Sequence, residues 1–485
     1  MGKITLHSFI VLCSLLIIVS APLHAETNDV KETCDYTETE GENPSYQTMN
    51  CLLTEIALNH NVPPEIVKSI ADTESGGWKQ FDETTGEPIV TEDGGIGVMQ
   101  VTNKSEYNNE KLKNNIPYNI KAGVEILKSM FERSDLPQIN QMNPQFLENW
   151  YFAIMAYNGT KPVNSPVVQA TGERNTDAYQ EKVIQNINNN SLIELETISF
   201  SPEDFDYNPD STDNIDFTTM DYSIDEPLTK SKHLFETDTP VTATTDDLTV
   251  RVEPTTSSAR VTLLNPDDIA YIDGDFVYGE DETSQNHFVW YPVRLENGHE
   301  GYVASSFLKM HFKDVPNDHY STDAIYYLAN RDLLQGVGGG AFGFDQDLTR
   351  TQAAILLNRA NDVSLDGRPD VPFTDVPNDY NYYNHIAAAA DEGFFEGNSD
   401  GSFGIQDSLT RAAMAQVLQR IYQFPEASGN NPFTDVSEDA WYRQAVLNLY
   451  EAGITSGVAD NQFAPQQTVT RQQFAVFLTR ILKND

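Results

Sequence analysis

Apolar side chains recur with helical spacing in the first third of the chain. Met49, Leu52, Leu53, Ile56 and Ala57 follow the i, i+3, i+4, i+7, i+8 pattern of an amphipathic helix. Further helical patterns are found in three later segments: NIKAGVEILKSMF from residue 119, FLENWYFAIMAYNGT from residue 146 and AYQEKVIQNI from residue 178. The pattern predicts a compact, mainly helical domain over residues 46–187.

A second predicted helix carries an acidic residue on its apolar side. Ile66, Val67, Ile70 and Ala71 share one face, and Glu74 lies on the same face. A general acid that works near neutral pH needs a raised pKa, and both an apolar surrounding and the negative end of a helix dipole raise the pKa of a carboxyl group. Glu74 is therefore a candidate catalytic acid. The alternative is a helix-end glutamate whose carboxylate reaches solvent.

Short runs of alternating apolar residues begin near residue 247. Five runs show this period-two pattern: LTVRVEP, ARVTLL, DIAYI, HFVWYPVRL and GHEGYVASSFL. Such runs, separated by turn residues, predict a small antiparallel barrel over residues 238–310. Trp290 and Tyr291 are candidates for stacking on a ligand, with packing in the core as the alternative.

The last part of the chain repeats itself three times. A phenylalanine opens an F-x-D-V motif at Phe312, Phe373 and Phe433. An arginine follows a threonine at Arg350, Arg411 and Arg471. Both landmarks recur at intervals of 61 and 60 residues, which predicts three helical modules over residues 311–371, 372–431 and 432–485.

The first 25 residues and the cysteines indicate the cellular context. In the first 25 residues Lys3 precedes a long apolar run and a small-residue site, which predicts a secretory signal peptide over residues 1–25. No later stretch is apolar enough to span a bilayer. In an exported protein Cys34 and Cys51 are expected to form a disulfide bond, with two free thiols as the alternative.

Charge excludes one class of partner. The chain has a formal net charge of −43, so nucleic acid is not an expected partner. The nine histidines show no metal-ligand spacing, and neither a metal nor a cofactor is predicted. Residues 26–45 are predicted to be an acidic N-terminal segment. Residues 183–229 hold eleven acidic residues, three prolines and no Lys or Arg, which predicts an extended acidic linker at 188–237.

Four motifs in residues 46–187 resemble the soluble lytic transglycosylase domain, which is akin to goose-type lysozymes. They are ADTESGG, GGIGVMQV, NIKAGVEIL and AIMAYNGT, and they occur in the order and approximate spacing of that family. The resemblance implies that Glu74 is the catalytic acid. It also implies sugar contacts at the matching motif positions Ser75, Met99, Gln100, Tyr157 and Asn158. Core packing remains the alternative for Met99, and the Tyr157 hydroxyl is expected to find a partner in Glu74.

This resemblance implies cleavage of peptidoglycan between MurNAc and GlcNAc with formation of 1,6-anhydro-MurNAc. One carboxyl group then acts as acid and as base, in contrast to the usual two-carboxylate scheme. Glu92 and Asp93 keep a hydrolytic alternative open, in which Asp93 is a second carboxylate that orients water. The alternative for Glu92 and Asp93 is that they are solvent-exposed turn residues. A further alternative is a wall-anchored protein whose helical domain only binds glycan.

The barrel resembles bacterial SH3-like domains, and the triple repeat resembles S-layer homology (SLH) modules through the FKDV/FTDV and LTRT/LTRA/VTRQ motifs. The SLH resemblance implies binding of a pyruvylated secondary cell-wall polymer. It implies that Arg350, Arg411 and Arg471 pair with the anionic groups. Asp314, Asp375 and Asp435 would bind sugar hydroxyls or orient these arginines.

The modules are expected to bind unequally. Where the SLH family has an aromatic residue, this chain has Tyr320, Asn381 and Trp441, so the groove that uses Asn381 is expected to be weak or vacant. The predicted fold class is multidomain: a mainly helical lysozyme-like domain, a small all-β SH3-like barrel and an all-α three-repeat SLH domain. The predicted protein is secreted and attached to a bacterial cell wall or S-layer, with peptidoglycan strands and the wall polymer as partners.

Overall fold

The computed structural model describes residues 29–102, 104–140, 142–224, 228–266, 268–281 and 285–484. The chain divides into two compact units. The head unit comprises the chain up to Ser223 together with Tyr278–Phe288. The repeat unit comprises Ile224–Val277 and the chain from Val289 onwards. The predicted signal peptide lies outside the described residues.

Residues 29–33 of the head unit are helical, and six further α-helices follow within its described residues. They are α1 (Tyr46–Asn59), α2 (Pro64–Ser75), α3 (Asn109–Asn114), α4 (Ile116–Phe131), α5 (Tyr151–Asn158) and α6 (Tyr179–Asn186). The apolar faces of α1 and α2 are fully buried at Leu52, Leu53, Ile66 and Ile70. The predicted helical fold of this domain is confirmed. The short helix α3 was not predicted.

A disulfide bond joins Cys51 of α1 to Cys34, with the two Cα atoms 5.6 Å apart. It ties the segment before α1 to the helical core. In the chain-entropy model, closing a loop of this length contributes about 3 kcal/mol to stability.

The acidic segment after α6 packs on the head unit. Within the described residues, three two-residue strands occur there: β2 (Phe205–Asp206), β3 (Asp216–Phe217) and β4 (Asp221–Tyr222). A fourth, β1 (Gln138–Ile139), lies between α4 and α5. Strand β4 pairs in parallel with β1, and β2 pairs with β3. Phe205 is buried, and the rings of Phe217 and Tyr222 lie 5.9 and 5.5 Å from that of Phe152. The prediction of an extended linker is wrong for this segment, because aromatic residues spaced among the acids bury apolar surface against α5.

Residues Tyr278–Phe288 belong to the head unit although strands of the repeat unit flank them in the chain. His287 is fully buried, and its ring stacks on that of Trp78 at 4.7 Å. The Lys68 ammonium of α2, also fully buried, donates to the His287 carbonyl at 2.7 Å. Burial lowers the pKa of Lys68 to about 7. This segment therefore completes the core of the head unit.

The repeat unit begins with an all-β domain that has seven strands within its described residues. They are β5 (Pro240–Ala243), β6 (Leu248–Arg251), β7 (Arg260–Leu264), β8 (Ala270–Ile272), β9 (Trp290–Leu295), β10 (Glu300–Ala304) and β11 (Leu308–Met310). They form one antiparallel sheet in the order β11-β5-β8-β9-β10-β6-β7. The five predicted runs correspond to β6–β10, and the predicted all-β class is confirmed. Strands β5 and β11, which pair with each other, were not predicted.

Six helices follow, two in each repeat. They are α7 (Thr322–Asn330), α8 (Arg350–Ala360), α9 (Tyr383–Asp391), α10 (Arg411–Tyr422), α11 (Arg443–Glu451) and α12 (Arg471–Asn484). Backbone hydrogen bonds close the repeats into a ring before their second helices: Leu348 N donates to Val469 O, Val469 N to Leu409 O, and Leu409 N to Leu348 O, at 2.8–2.9 Å. The predicted three-repeat helical domain is confirmed.

Among the described residues, no helix has the length and apolar character needed to cross a membrane. The same residues contain no cluster of His, Cys, Asp or Glu suited to a metal ion.

Candidate active site and repeat grooves

The end of α2 positions Glu74. Helix α2 begins with Pro64 at its first turn and ends at Gly76, whose left-handed backbone (φ 61°) allows its N–H to bond the Asp72 carbonyl. The buried face of the helix carries Ile66 and Ile70, and Glu74 follows on that side at the edge of a cleft of about 280 Å³. The Glu74 carboxyl group is only partly exposed, as the apolar pattern predicted.

Three influences act on the Glu74 carboxyl group. Burial is the largest and raises its pKa; a hydrogen bond from Tyr179 lowers it, and the negative charge of Asp93 raises it again. The net pKa is raised. Glu74 is therefore suited to hold a proton at a pH where an ordinary glutamate has lost it.

Tyr179 is the phenolic partner of Glu74. Its hydroxyl donates to Glu74 Oε1 at 2.5 Å, and its ring is buried at the first position of α6. Asn164 holds this helix end, because its Oδ1 accepts the Tyr179 N–H at 3.2 Å. The Asn164 Nδ2 donates to Asn158 Oδ1 at 3.0 Å. Neither Tyr179 nor Asn164 was predicted, although Tyr179 stands in the segment AYQEKV that predicted the last helix.

Tyr157 does not bond to Glu74. Its hydroxyl donates to the Met99 carbonyl at 2.7 Å, so the prediction of a Tyr157–Glu74 hydrogen bond is wrong. The Met99 side chain is fully buried, and it packs where Gly123 of α4 leaves room, since a Cβ there would lie 2.5 Å from the Met99 Cβ. Met99 therefore acts through its backbone, and a sugar contact by its side chain is excluded in this structure.

Ser75 is also structural in this arrangement. Its hydroxyl donates to the Ala71 carbonyl at 2.7 Å and accepts the Lys79 N–H at 3.0 Å. These two bonds tie the end of α2 to the following loop. The hydroxyl is occupied by backbone groups, and Ser75 does not line the cleft that Glu74 lines.

The predicted sugar-contacting residues that do line the cleft lie on two segments, the loop at residues 94–101 and the end of α5. Gln100, Tyr157 and Asn158 line it with Glu74, as the resemblance implied. The Gln100 Nε2 donates to the Gly97 carbonyl at 2.7 Å, which orients the amide. Asn158 is exposed, and among the described residues its side chain bonds only to Asn164, through its Oδ1. The structure therefore brings three of the five predicted sugar-contacting residues to the cleft.

Two buried amides support the loop at residues 94–101. The Gln80 Oε1 accepts the Val98 N–H, and the Asn119 Oδ1 accepts the Met99 N–H, each at 3.0 Å. Gly97 (φ 71°) leaves no room for a side chain, because a Cβ would lie 2.4 Å from Gln80 Oε1. The glycine allows close approach of these amides rather than of a ligand.

Asp93 lies in the same cleft, whereas Glu92 is exposed and does not line it. The Thr91 hydroxyl donates to Asp93 Oδ1 at 2.6 Å, and this bond is the main cause of a lowered pKa at Asp93. The cleft thus contains one carboxyl group with a raised pKa and one with a lowered pKa.

In the repeats, the three aspartates of the F-x-D-V motifs hold backbone. Asp314 accepts the N–H groups of Phe342, Gly343 and Phe344 at 2.6–2.9 Å. The equivalent bonds run from Phe403, Gly404 and Ile405 to Asp375 and from Phe463 and Ala464 to Asp435. These carboxylates therefore hold the loop before each second helix, and each lies close enough to a repeat arginine to influence its pKa. Binding of sugar hydroxyls and orientation of the arginines by these aspartates both stay predictions.

Each repeat arginine reaches the loop of another module. The Arg350 Nε donates to Phe403 O at 2.7 Å, Arg411 Nε to Phe463 O at 2.7 Å and Arg471 Nε to Phe342 O at 2.9 Å. Each guanidinium also lies over the ring of that phenylalanine, at 4.7–5.1 Å from its centroid. Across the described ranges, no carboxylate forms an ion pair with any of the three.

The ring order determines which residues share a groove. One groove of about 430 Å³ is lined by Arg350 of the first module, by Phe395 and Arg420 of the second, and by Trp441 of the third. Trp441 is 66% exposed. The same order assigns Tyr320, 65% exposed, to the Arg411 groove, and Tyr320 is close enough to Arg411 to influence its pKa. It assigns Asn381 to the Arg471 groove.

The aromatic pair of strand β9 belongs to the core. Trp290 is 3% exposed and Tyr291 1% exposed. The interpretation of these residues as a stacking platform for a ligand is wrong, and the core-packing alternative is correct.

Family comparisons agree with this architecture. Residues 52–180 match the transglycosylase SLT domain, residues 246–309 the bacterial SH3 domain, and residues 311–354, 372–415 and 432–475 the S-layer homology domain. The chain is therefore modular, with consecutive regions that match the models of a transglycosylase SLT domain, a bacterial SH3 domain and three S-layer homology domains. The resemblances found in the sequence are confirmed.

Curated relatives share part of the chain. It is 30% identical over 172 residues to the S-layer protein sap of Bacillus anthracis, covering 35% of this chain and 21% of the relative. It is 30% identical over 169 residues to the Surface-layer 125 kDa protein of Lysinibacillus sphaericus, covering 34% and 14%. It is 28% identical over 177 residues to an Endoglucanase of Bacillus sp. (strain KSM-635), covering 35% and 18%. The chain spans about a fifth or less of the length of these relatives.

Proposed function

We propose that the chain is a secreted lytic transglycosylase that cleaves peptidoglycan glycan strands and is held at a bacterial cell wall by its SLH modules. One observation carries the enzymatic part. A partly buried Glu74 carboxyl group with a raised pKa lines a cleft within a matched transglycosylase SLT domain and accepts a hydrogen bond from Tyr179. Such a group is suited to protonate a leaving oxygen.

In the proposed reaction, Glu74 donates its proton to the glycosidic oxygen between MurNAc and GlcNAc as the bond from that oxygen to C1 of MurNAc breaks. The Glu74 carboxylate, stabilised by the Tyr179 hydroxyl, then accepts the proton of the MurNAc 6-hydroxyl. The 6-oxygen bonds to C1 and closes the 1,6-anhydro ring. Glu74 ends protonated and no water is consumed, so one carboxyl group serves both steps. Gln100, Tyr157 and Asn158 are positioned to contact the sugars.

Asp93 supports a second candidate function. Its lowered pKa keeps it ionised in the cleft where Glu74 is the acid, and two carboxyl groups with oppositely shifted pKa values are typical of glycoside hydrolases. In that case Asp93 would orient a water molecule, and the product would carry a reducing MurNAc end.

Product analysis on purified peptidoglycan tests both. The Glu74→Gln variant of the full chain is expected to fold and to release no muropeptides. Glu92→Gln, which makes the same chemical change at an exposed neighbour outside the cleft, is the matched control and should keep full activity. Anhydro-MurNAc ends in the mass spectrum support the transglycosylase, and reducing ends support the hydrolase. A wild-type chain that binds walls without releasing products would be a glycan-binding protein instead.

The anchoring part of the proposal rests on the three repeat arginines. In a chain with 73 acidic and 30 basic residues, these three guanidinium groups contact carbonyls and rings and form no ion pair with a carboxylate of the described residues. Their charge is thus available to an anionic ligand, and exposed Trp441 and Tyr320 offer a ring face to a sugar. We infer that the ligand is an anionic, pyruvylated secondary wall polymer.

Wall-binding assays with surface variants test the anchor, because the arginines also hold loops and their loss would disturb the ring. Trp441→Ala and Tyr320→Ala should each weaken binding to walls that carry the polymer, whereas Asn381→Ala should not. Walls from which the polymer has been extracted should bind weakly. Undiminished binding to extracted walls would contradict the assignment.

A further inference from the structure

Lys104 is the only Lys or Arg among the described residues that line the Glu74 cleft. The cleft otherwise carries the carboxyl groups of Glu74 and Asp93. Lys104 and Val101 also line a neighbouring depression of about 610 Å³. The two depressions therefore share a border, and Lys104 lies on it.

The ammonium group of Lys104 is not used within the described part of the chain. The Lys104 side chain forms no hydrogen bond or ion pair with a described residue. Nearby, the Lys113 ammonium is paired with Glu110 at 3.3 Å. Among the described residues that line the neighbouring depression, only Glu110 has a carboxyl group, and its pairing with Lys113 engages it. An unpaired cation at the border of a cleft is suited to an anionic group of the ligand.

We propose that Lys104 binds a carboxylate of the glycan strand and thereby sets the register of MurNAc and GlcNAc in the cleft. This inference rests on the proposed function. Along a strand the two sugars alternate, and only MurNAc carries a 3-O-lactyl group, whose carboxyl is either free or extended by a stem peptide with carboxylates of its own. The 1,6-anhydro product forms only when the cleaved glycosidic bond is the one at C1 of MurNAc. A cation that distinguishes MurNAc from GlcNAc favours the productive register.

Binding measured without turnover tests this role. In the full-length Glu74→Gln chain, Lys104→Gln is compared with Lys111→Gln, which removes an equal charge from α3 outside both depressions. Three ligands are used: uncross-linked strands with stem peptides, amidase-stripped strands with free lactyl carboxylates, and stripped strands whose carboxylates have been converted to amides. Lys104→Gln is expected to weaken binding of carboxylate-bearing strands about 3- to 5-fold and to leave amidated strands unaffected.

Each outcome decides a point. A loss confined to peptide-bearing strands identifies the stem peptide as the source of the carboxylate, and a loss confined to stripped strands identifies the lactyl group. An equal loss on amidated strands, an equal loss in Lys111→Gln, or no loss on any strand would overturn the proposal. Failure of the proposed function is separate, because it would show as absence of cleavage by the wild-type chain, whereas these measurements require only binding.

Discussion

Replacing Tyr179 by phenylalanine removes one hydroxyl from the site and leaves the ring in place. That hydroxyl donates to Glu74 Oε1 at 2.5 Å from a side chain that is almost fully buried. The bond favours the ionised form of Glu74, since it acts to lower the pKa that burial raises. The variant therefore removes the main local stabilisation of the carboxylate.

The size of the effect follows from the type of bond. Hydrogen bonds to charged groups contribute about 1.5–3 kcal/mol, and each ~1.4 kcal/mol of difference between two protonation states corresponds to one pH unit. Without the hydroxyl the pKa of Glu74 should rise further. Glu74 must be protonated to act as the acid, so the alkaline limb of the activity profile should move to higher pH. The maximal rate should fall, because the carboxylate formed in the first step loses its donor.

The assay is release of soluble muropeptides from purified peptidoglycan as a function of pH, with Tyr157→Phe as the matched control. The Tyr157 hydroxyl bonds a backbone carbonyl rather than a carboxylate, so its loss should lower activity without moving the alkaline limb. An unmoved limb in Tyr179→Phe, a shift to lower pH, or an equal shift in both variants would refute the assigned role of Tyr179.

Three further predictions concern stability. Because the pKa of Glu74 is raised in the folded state, its contribution to folding stability is fully present below the unfolded pKa and is lost as pH rises through the folded pKa. Glu74→Gln should therefore raise the melting temperature of the head unit at pH 8 relative to wild type and change it little near pH 4. Equal gains in melting temperature at both pH values would contradict this prediction. Asp375→Ala leaves three backbone N–H groups without their acceptor, so calorimetry should show the repeat unit less stable by about 3 kcal/mol or more, with Asp379→Ala on the exposed surface as a neutral control. Burial works to raise the pKa of Asp375 but its N–H donors lower it overall, so its stabilisation should be lost as pH falls through the lowered pKa. His287→Ala removes a fully buried ring that stacks on Trp78 and should destabilise the head unit by about 2–4 kcal/mol. Lytic activity should fall while wall binding persists. An unchanged stability of the head unit would show that Tyr278–Phe288 is not part of its core.

Local periodicity predicted those helices that bury one continuous face. Helices α1 and α2 were predicted because each leaves apolar residues on one side and ends at a recognisable cap. Tyr179 was missed because its contact with Glu74 joins residues 105 positions apart, which no local period encodes. The prediction of an extended acidic linker was wrong because the aromatic residues interspersed among its acids pack against Phe152, which net charge does not indicate.

The repeats show a limit of a different kind. The period predicted three modules, yet motif position alone did not separate the aspartates from the arginines in role. One signal was present in the sequence: each aspartate precedes by 28 residues the phenylalanine whose N–H it accepts. A constant spacing between an aspartate and a loop residue indicates that the aspartate side chain accepts hydrogen bonds from the backbone of that loop. The exchange of arginines between modules could not be predicted, because it depends on closure of the ring.

Because of this exchange of arginines, each module is a repeat in the sequence, but no module forms a complete groove by itself. Each groove takes an arginine from one module, a loop from the next, and a side chain from the third: Trp441, Tyr320 or Asn381. Deleting any one module would therefore leave no groove complete, rather than two out of three. We therefore expect wall binding to depend on the closed ring of three modules and not to fall in proportion to the number of modules removed.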